Sequence, residues 1–245
     1  MNDLVLEKTI KRGKRGNQVQ LVQEWLCLQG IHVAIDGSFG PATESGVKEF
    51  QEREGLPIDG VVKTGTFDKL FQPMKTALNP VQPQGETLGE MVVKYAQQHL
   101  EHHPREIGGQ NRGPWVRLYM NGNEGNEWPW CAGFVCFVLK QACKSLDVPL
   151  PFRKTFSCDT LAAHAKDKEI FLAKTKIDDK AQITPGSIFL NRRTSTDWIH
   201  AGIVIKAENE IFHTIEGNTN DEGSREGYEV CRRRRGYKKK DFILI

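Results

Sequence analysis

Trp128-Pro129-Trp130-Cys131-Ala132-Gly133-Phe134-Val135-Cys136-Phe137-Val138-Leu139 is the stretch around which the rest of the chain can be organised. From Cys131 onward, Ala132, Val135, Leu139 and Ala142 fall on one stripe, the spacing of a largely buried helix. Cys131 therefore stands in the first turn. Unpaired N–H groups and the positive end of the helix dipole meet there, and both favour a thiolate. A cysteine so placed has its pKa lowered below the free value of about 8.5. Cys27, Cys136, Cys143 and Cys231 fit the ordinary role of small buried residues. Cys131 is set apart because two tryptophans and a proline shape the approach to it.

A reactive thiolate needs a base, and the base needs a group to orient it. His200 opens the apolar run His200-Ala201-Gly202-Ile203-Val204-Ile205, with residues of least bulk beside it, so it is placed to face a cleft. Ile211-Phe212-His213-Thr214-Ile215-Glu216-Gly217-Asn218 reads as a following strand. A hairpin would return its end beside His200, and alternation puts Glu216 and Asn218 on one face, so either could accept the imidazole N–H. His213 reads as a structural strand residue and His164 as a helix residue. His99, His102 and His103 share a helical face at i, i+3 and i+4, which raises a metal reading, but no acidic or cysteine ligand has an obvious spacing to them.

Around these residues the pattern changes along the chain. From Leu88 an amphipathic helix is expected, with Met91, Val92, Tyr95 and Leu100 on one side. After 183 come short β-type runs at 187–190, 200–206, 210–215, 228–233 and 242–245. Helix first and sheet second argues an α+β unit with an antiparallel sheet. Before it, residues 1–74 read as three small helices, over 18–29, from Pro41, and over 66–71. Ile35-Asp36-Gly37 to Thr43 recurs as Ile58-Asp59-Gly60 to Thr66, so two turns of one kind bracket the central helix. Residues 75–87, with Pro80 and Pro83 and few bulky apolar side chains, read as a linker, leaving 88–245 as the second domain.

Composition bounds the function. A chain of 245 residues exceeds the usual single domain, and a formal net charge of +3 is too small to argue a nucleic-acid partner. Arg232-Arg233-Arg234-Arg235 is locally basic and reads as a strand with a solvated face. No stretch has the length of a membrane span, and the first residues lack a basic region followed by an apolar run, so no export signal is expected. The six cysteines show neither paired metal spacing nor a dense disulfide framework, which points to reduced thiols.

Two resemblances join these readings. Lys11-Arg12-Gly13 to Val19-Gln20-Leu21-Val22-Gln23, Asp36-Gly37-Ser38-Phe39-Gly40-Pro41-Ala42-Thr43 and Gly55-Leu56-Pro57-Ile58-Asp59-Gly60 closely resemble the peptidoglycan-binding type 1 domain, a three-helix wall anchor. The match departs at Lys63-Thr64, where that family repeats Gly-Pro. Trp130-Cys131-Ala132-Gly133-Phe134-Val135, Thr184-Pro185-Gly186-Ser187-Ile188, Asp197-Trp198-Ile199-His200-Ala201-Gly202 and Glu216-Gly217-Asn218-Thr219-Asn220, in that order, resemble the CHAP domain, a cysteine, histidine-dependent amidohydrolase/peptidase of papain-like fold. That resemblance implies Cys131 as nucleophile, His200 as base and then acid, and Glu216 with Asn218 as orienting groups. Some CHAP domains carry an aspartate-rich calcium loop ahead of the cysteine. Residues 121–127 offer only two carboxylates there, so no metal or other cofactor is expected. Together the resemblances imply a cell-wall amidase or endopeptidase, in the manner of a phage-type endolysin. It would be a monomer made in the cytoplasm and carried to peptidoglycan by a pore or secretion partner. The rivals are an inactive wall-binding protein and a metal-dependent wall carboxypeptidase using the His99 cluster.

Overall fold

Gln23 and Gln51 show why the first part of the chain folds as it does. Both are buried. The Gln23 amide donates to Asp36 Oδ1 (2.8 Å), the Ser38 carbonyl (3.1 Å) and Thr43 Oγ1 (3.1 Å), and its carbonyl accepts from the Gly37 N–H (2.8 Å). Gln51 repeats this with Asp59 (3.0 Å), the Val61 carbonyl (3.0 Å), Thr66 (3.2 Å) and the Gly60 N–H (2.9 Å). The sequence echo is thus one polar device used twice. Each Asp-Gly turn is fastened to the helix before it, and Gly37 and Gly60 take φ of 68° and 69°, where a Cβ would be strained.

The structure, a computed structural model, describes residues 4–176, 180–220 and 227–245. It divides into two units. The first is Met1–Leu78 together with Arg105–Gly125. Its helices are α1 (Asn17–Leu28), α2 (Pro41–Arg53), α3 (Thr64–Leu70), α4 (Gln72–Ala77) and α6 (Pro114–Tyr119). Trp25, Val47, Phe50, Phe67 and Phe71 are buried in its core, with Phe67 and Phe71 stacked at 4.1 Å.

Two features depart from expectation. The stretch read as the start of a linker is helical to Ala77, because Met74 and Ala77 are buried. Residues 105–125, expected in the second domain, belong to the first unit. Trp115 on α6 sets its ring edge against Trp25, centroids 5.9 Å apart, and Arg117 pairs with the buried Glu24 at 2.6 Å. A tryptophan face and a buried carboxylate on α1 both need cover, and α6 supplies it.

The second unit, Asn79–Pro104 with Asn126–Ile245, is α+β. Its helices are α5 (Leu88–Leu100), α7 (Cys131–Leu146) and α8 (Cys158–Asp167). Its strands are β1 (Phe171–Leu172), β2 (Ile188–Arg192), β3 (Trp198–Ala207), β4 (Ile211–Thr219), β5 (Glu229–Gly236) and β6 (Lys240–Ile243). They form one antiparallel sheet in the order β1-β6-β2-β3-β4-β5. Helix α5 starts at a capping box between Thr87 and Glu90. It packs with α7 against β3 and β4, while Phe189, Val204, Phe212 and Phe242 form an aromatic and aliphatic core within the unit. On α5 the buried stripe is Met91, Val92, Tyr95 and His99, with Leu100 only half-buried. No helix of the described residues is long and apolar enough to cross a membrane.

Candidate active site

Helix α7 begins at Cys131, as its apolar stripe predicts. Its position is fixed by three consecutive residues of β4. The Gly217 backbone lies so close to α7 that a Cβ there would stand 2.8 Å from both Trp130 and Phe134. Asn218 Oδ1 accepts the Trp130 backbone N–H at 3.0 Å, satisfying one of the open donors at the helix start. Glu216 Oε2 accepts from His200 Nε2 at 2.8 Å. The run Glu216-Gly217-Asn218 therefore orients the imidazole, admits the helix and holds the residue before the cysteine.

Alternation alone would put Glu216 and Asn218 on one face. A bulge between Glu216 and Thr219 breaks it, and Asn218 adopts φ of 54°. The Asn218 amide also donates to the Gly227 carbonyl at 2.7 Å. Trp130 does not shape an approach to the sulfur: it is 0% exposed and wedged against Gly217. Trp128 is half-buried, edge-on to Phe156 at 6.1 Å. Nor is Gly202 a gap left for substrate. A Cβ there would meet Glu216 Cγ and a Phe189 ring carbon, each at 2.6 Å, so the glycine makes room for the carboxylate that reaches His200.

Glu216 is 0% exposed and all its lone pairs are engaged. Thr214 Oγ1 donates to Oε1 at 2.5 Å, and Arg235 grips both oxygens, Nε to Oε1 at 2.8 Å and Nη2 to Oε2 at 2.6 Å. Burial alone would raise the Glu216 pKa, but the bonds from Arg235 and His200 overcome it and hold the carboxyl at about 2. Arg235 is the site residue that the basic run concealed. On β5, Arg232 and Arg234 point to solvent, as a solvated face requires, while Arg235 turns inward. Strand alternation through the run, together with a carboxylate buried on the paired strand, is the signal that finds it.

With Nε2 of His200 given to Glu216, its other ring nitrogen is the one left to serve the sulfur of Cys131, whose charge the imidazolium favours. Burial would lower the His200 pKa, yet bonds to Cys131 and Glu216 raise it to about 9. The Cys131 thiol is shifted well below its ordinary range by a hydrogen bond from Cys158, the imidazolium of His200 and the Ala201 backbone N–H. The lowered thiol of Cys131 and the raised imidazole of His200 each favour the other's charged form.

The other histidines stand apart. His99 is buried, its Nε2 2.7 Å from Gln141 Oε1, and burial lowers its pKa to about 4. His102 and His103 lie beyond the end of α5 at Leu100, so the expected shared helical face is not formed. Among the described residues no cluster of three or more His, Cys, Asp or Glu could hold a metal. In the loop after α6, Glu124 bonds Arg117 and the Gly113 N–H.

Comparison with known proteins bears on the first unit. Residues 15–70 match the family described as a putative peptidoglycan binding domain. The first unit carries a peptidoglycan-binding domain. Over 76 residues the chain is 37% identical to the zinc D-Ala-D-Ala carboxypeptidase of Streptomyces albus G, covering 30% of each protein. The chain thus spans under a third of the curated relative that it matches. Among solved structures, a peptidoglycan-binding protein from Clostridioides difficile is 43% identical with a TM-score of 0.26, covering 26% of this chain and 40% of that one. A Burkholderia AP3 phage endolysin is 29% identical with a TM-score of 0.26, covering 37% and 33%. The peptidoglycan-binding domain contains both glutamine-fastened turns, and α6 packs on its α1 from outside the matched residues.

Proposed function

We propose that the second unit is a cysteine amidohydrolase of the papain-like CHAP type, cutting an amide bond in the peptidoglycan to which the first unit binds. The observation that carries this reading is the buried chain from His200 through Glu216 to Arg235, with the thiol of Cys131 lowered by that imidazolium at the start of α7. A buried thiolate–imidazolium pair backed by a charge-neutralised carboxylate is chemistry for acyl transfer. The Cys131 thiolate attacks the amide carbon, and in this mechanism the backbone N–H of Cys131 at the start of α7 receives the developing oxyanion. The His200 imidazolium gives its proton to the leaving amine. The neutral ring then takes a proton from water, which hydrolyses the thioester and frees the acid. Glu216 keeps the ring in one orientation throughout. The substrate assignment rests on the peptidoglycan-binding domain. A chain of this kind acts at the cell wall.

The test is to incubate the full chain with purified peptidoglycan, measure newly freed amino groups and identify the products by mass. Wild type should release amines, resist chelators and be stopped by iodoacetamide, and Cys131→Ala should release none. Release that survives Cys131→Ala, or that a chelator abolishes, would overturn the cysteine mechanism. The product masses separate the muramoyl–alanine amide from a stem or cross-bridge peptide bond.

A further inference from the structure

Cys158 has no part in the hydrolytic steps above, yet its sulfur lies 3.8 Å from that of Cys131. Each is the first residue of its helix, and both are free thiols. Both are buried, at 4% and 8% exposed. Cys158 is firmly placed: Ser157 caps α8 by accepting the Thr160 N–H, and Asp159 accepts the Trp198 N–H at 2.6 Å, tying the helix start to β3.

We propose that Cys131 and Cys158 form a peroxide-sensitive dithiol, in which Cys158 resolves an oxidised Cys131 into a reversible disulfide. It rests on the reading of Cys131 as a reactive thiolate and adds a modification to that site. A disulfide needs the sulfurs at about 2.05 Å, so side-chain rotation must close a gap of roughly 2 Å. In the first step the Cys131 thiolate attacks one oxygen of hydrogen peroxide. The O–O bond breaks, Cys131 becomes a sulfenic acid, and the departing hydroxide takes the His200 proton to leave as water. In the second, Cys158 loses its proton and its thiolate attacks the sulfenic sulfur. The S–O bond breaks, the S–S bond forms, and hydroxide leaves with the Cys158 proton as water. Two thiols and one peroxide thus give one disulfide and two waters.

The order of events has an electrostatic basis. The hydrogen bond to Cys131 and the negative charge on it hold the Cys158 thiol well above its ordinary range, so Cys158 stays protonated while the thiolate is intact. Oxidation to a neutral sulfenic acid removes that charge and so eases the ionisation of Cys158, which burial still opposes. Burial keeps the Cys136 thiol at about 11, outside this sequence.

The experiment treats the full chain with dilute hydrogen peroxide, blocks remaining thiols with iodoacetamide, and maps the digest by mass spectrometry. A Cys131 peptide joined to a Cys158 peptide, two hydrogens lighter than the pair and separated by dithiothreitol, is expected in wild type and in Cys136→Ser. In Cys158→Ser, Cys131 should pass instead to sulfinic acid, which dithiothreitol does not reverse. A wild-type Cys131 that goes to sulfinic acid without linking, or links to Cys136, would overturn the proposal. That readout needs no hydrolysis. Linked peptides from a chain that cuts no peptidoglycan would sink the catalytic reading alone, and active chain without linkage would sink only the dithiol. Should Cys158→Ser not fold, the presence or absence of the wild-type linkage still decides.

Discussion

Glu216 concentrates most of what this site asks of one residue. It is a carboxylate without access to water, kept ionised by Arg235 and used to hold His200. The His200 pKa of about 9 lies above the ordinary 6.5, so the folded state favours the imidazolium. That contribution to stability is complete below about pH 6.5 and disappears as pH rises through about 9. In the proposed mechanism leaving-group protonation follows the same titration, so kcat/KM should hold through neutral pH and fall with an alkaline limb near 9. Glu216→Gln removes the charge facing the ring and leaves the Arg235 cation beside it. The alkaline limb should then move down toward the ordinary histidine value, with a rate loss within the range of about 10² to 10⁴ for a compromised acid–base group. An unmoved limb in that variant would put Glu216 outside the proton chemistry. Arg235→Leu tests the other side of the carboxylate. A buried charge stripped of its counterion costs about 3–5 kcal/mol, readable as a lower denaturant midpoint, whereas an arginine on a merely solvated face would cost almost nothing. The places of Cys131, His200 and Glu216, at a helix start and on neighbouring strands next to small residues, are legible in the sequence. Arg235 is hidden by its three arginine neighbours, and Cys158 by its distance along the chain from Cys131.

At the scale of elements, the site depends on β4 meeting the start of α7. Hydrophobic period 2 locates β2 to β5 and period 3.6 locates α7, which is why the sheet and the cysteine helix can be read from the sequence. The contact between them cannot, because it is made through a glycine and a bulge, neither of which leaves a periodic trace. Strand β1, two residues long, is also silent in the sequence. Gly217→Ala would press a methyl group onto Trp130 and Phe134 at 2.8 Å, and Phe134 is itself buried. Overpacking of this kind costs about 1–3 kcal/mol, so thermal unfolding should shift down and activity should fall with it. Asn218→Ala is the subtler change. It leaves the Trp130 N–H without its acceptor, at a cost of about 1–2 kcal/mol, and loosens the turn that aims Cys131. The rate should drop while the alkaline limb stays near 9, since no charge near His200 has changed. A shifted limb in Asn218→Ala would mean that this residue acts on the imidazole directly.

For the whole molecule, the order of the chain and the order of the units differ. The chain leaves the first unit after Leu78, returns to it at Arg105 and leaves again at Gly125. The sequence conceals this because residues 105–125, rich in glycine and asparagine, look like a loop of the second domain, and the six residues of α6 are too few to show a period. What ties them to the first unit is side-chain chemistry: Trp115 against Trp25, Arg117 on Glu24, and Arg105 donating to the Leu28 carbonyl at 2.7 Å. A fragment of residues 1–78 keeps both glutamine-fastened turns but leaves Glu24, 2% exposed in the full chain, without the guanidinium that neutralises it. The Arg117→Ala variant of the full chain isolates that one loss. Breaking the pair should cost about 3–5 kcal/mol, because Glu24 keeps the desolvation penalty without its counter-charge. The cost should appear in the unfolding of the first unit, followed by Trp25 and Trp115 fluorescence, and in weaker sedimentation with insoluble peptidoglycan. Glu24→Gln with Arg117→Met removes both charges and should recover most of that stability, as paired removal of a buried ion pair does. If Arg117→Ala unfolds at the wild-type denaturant concentration, α6 is an attached loop and the peptidoglycan-binding domain is complete without it.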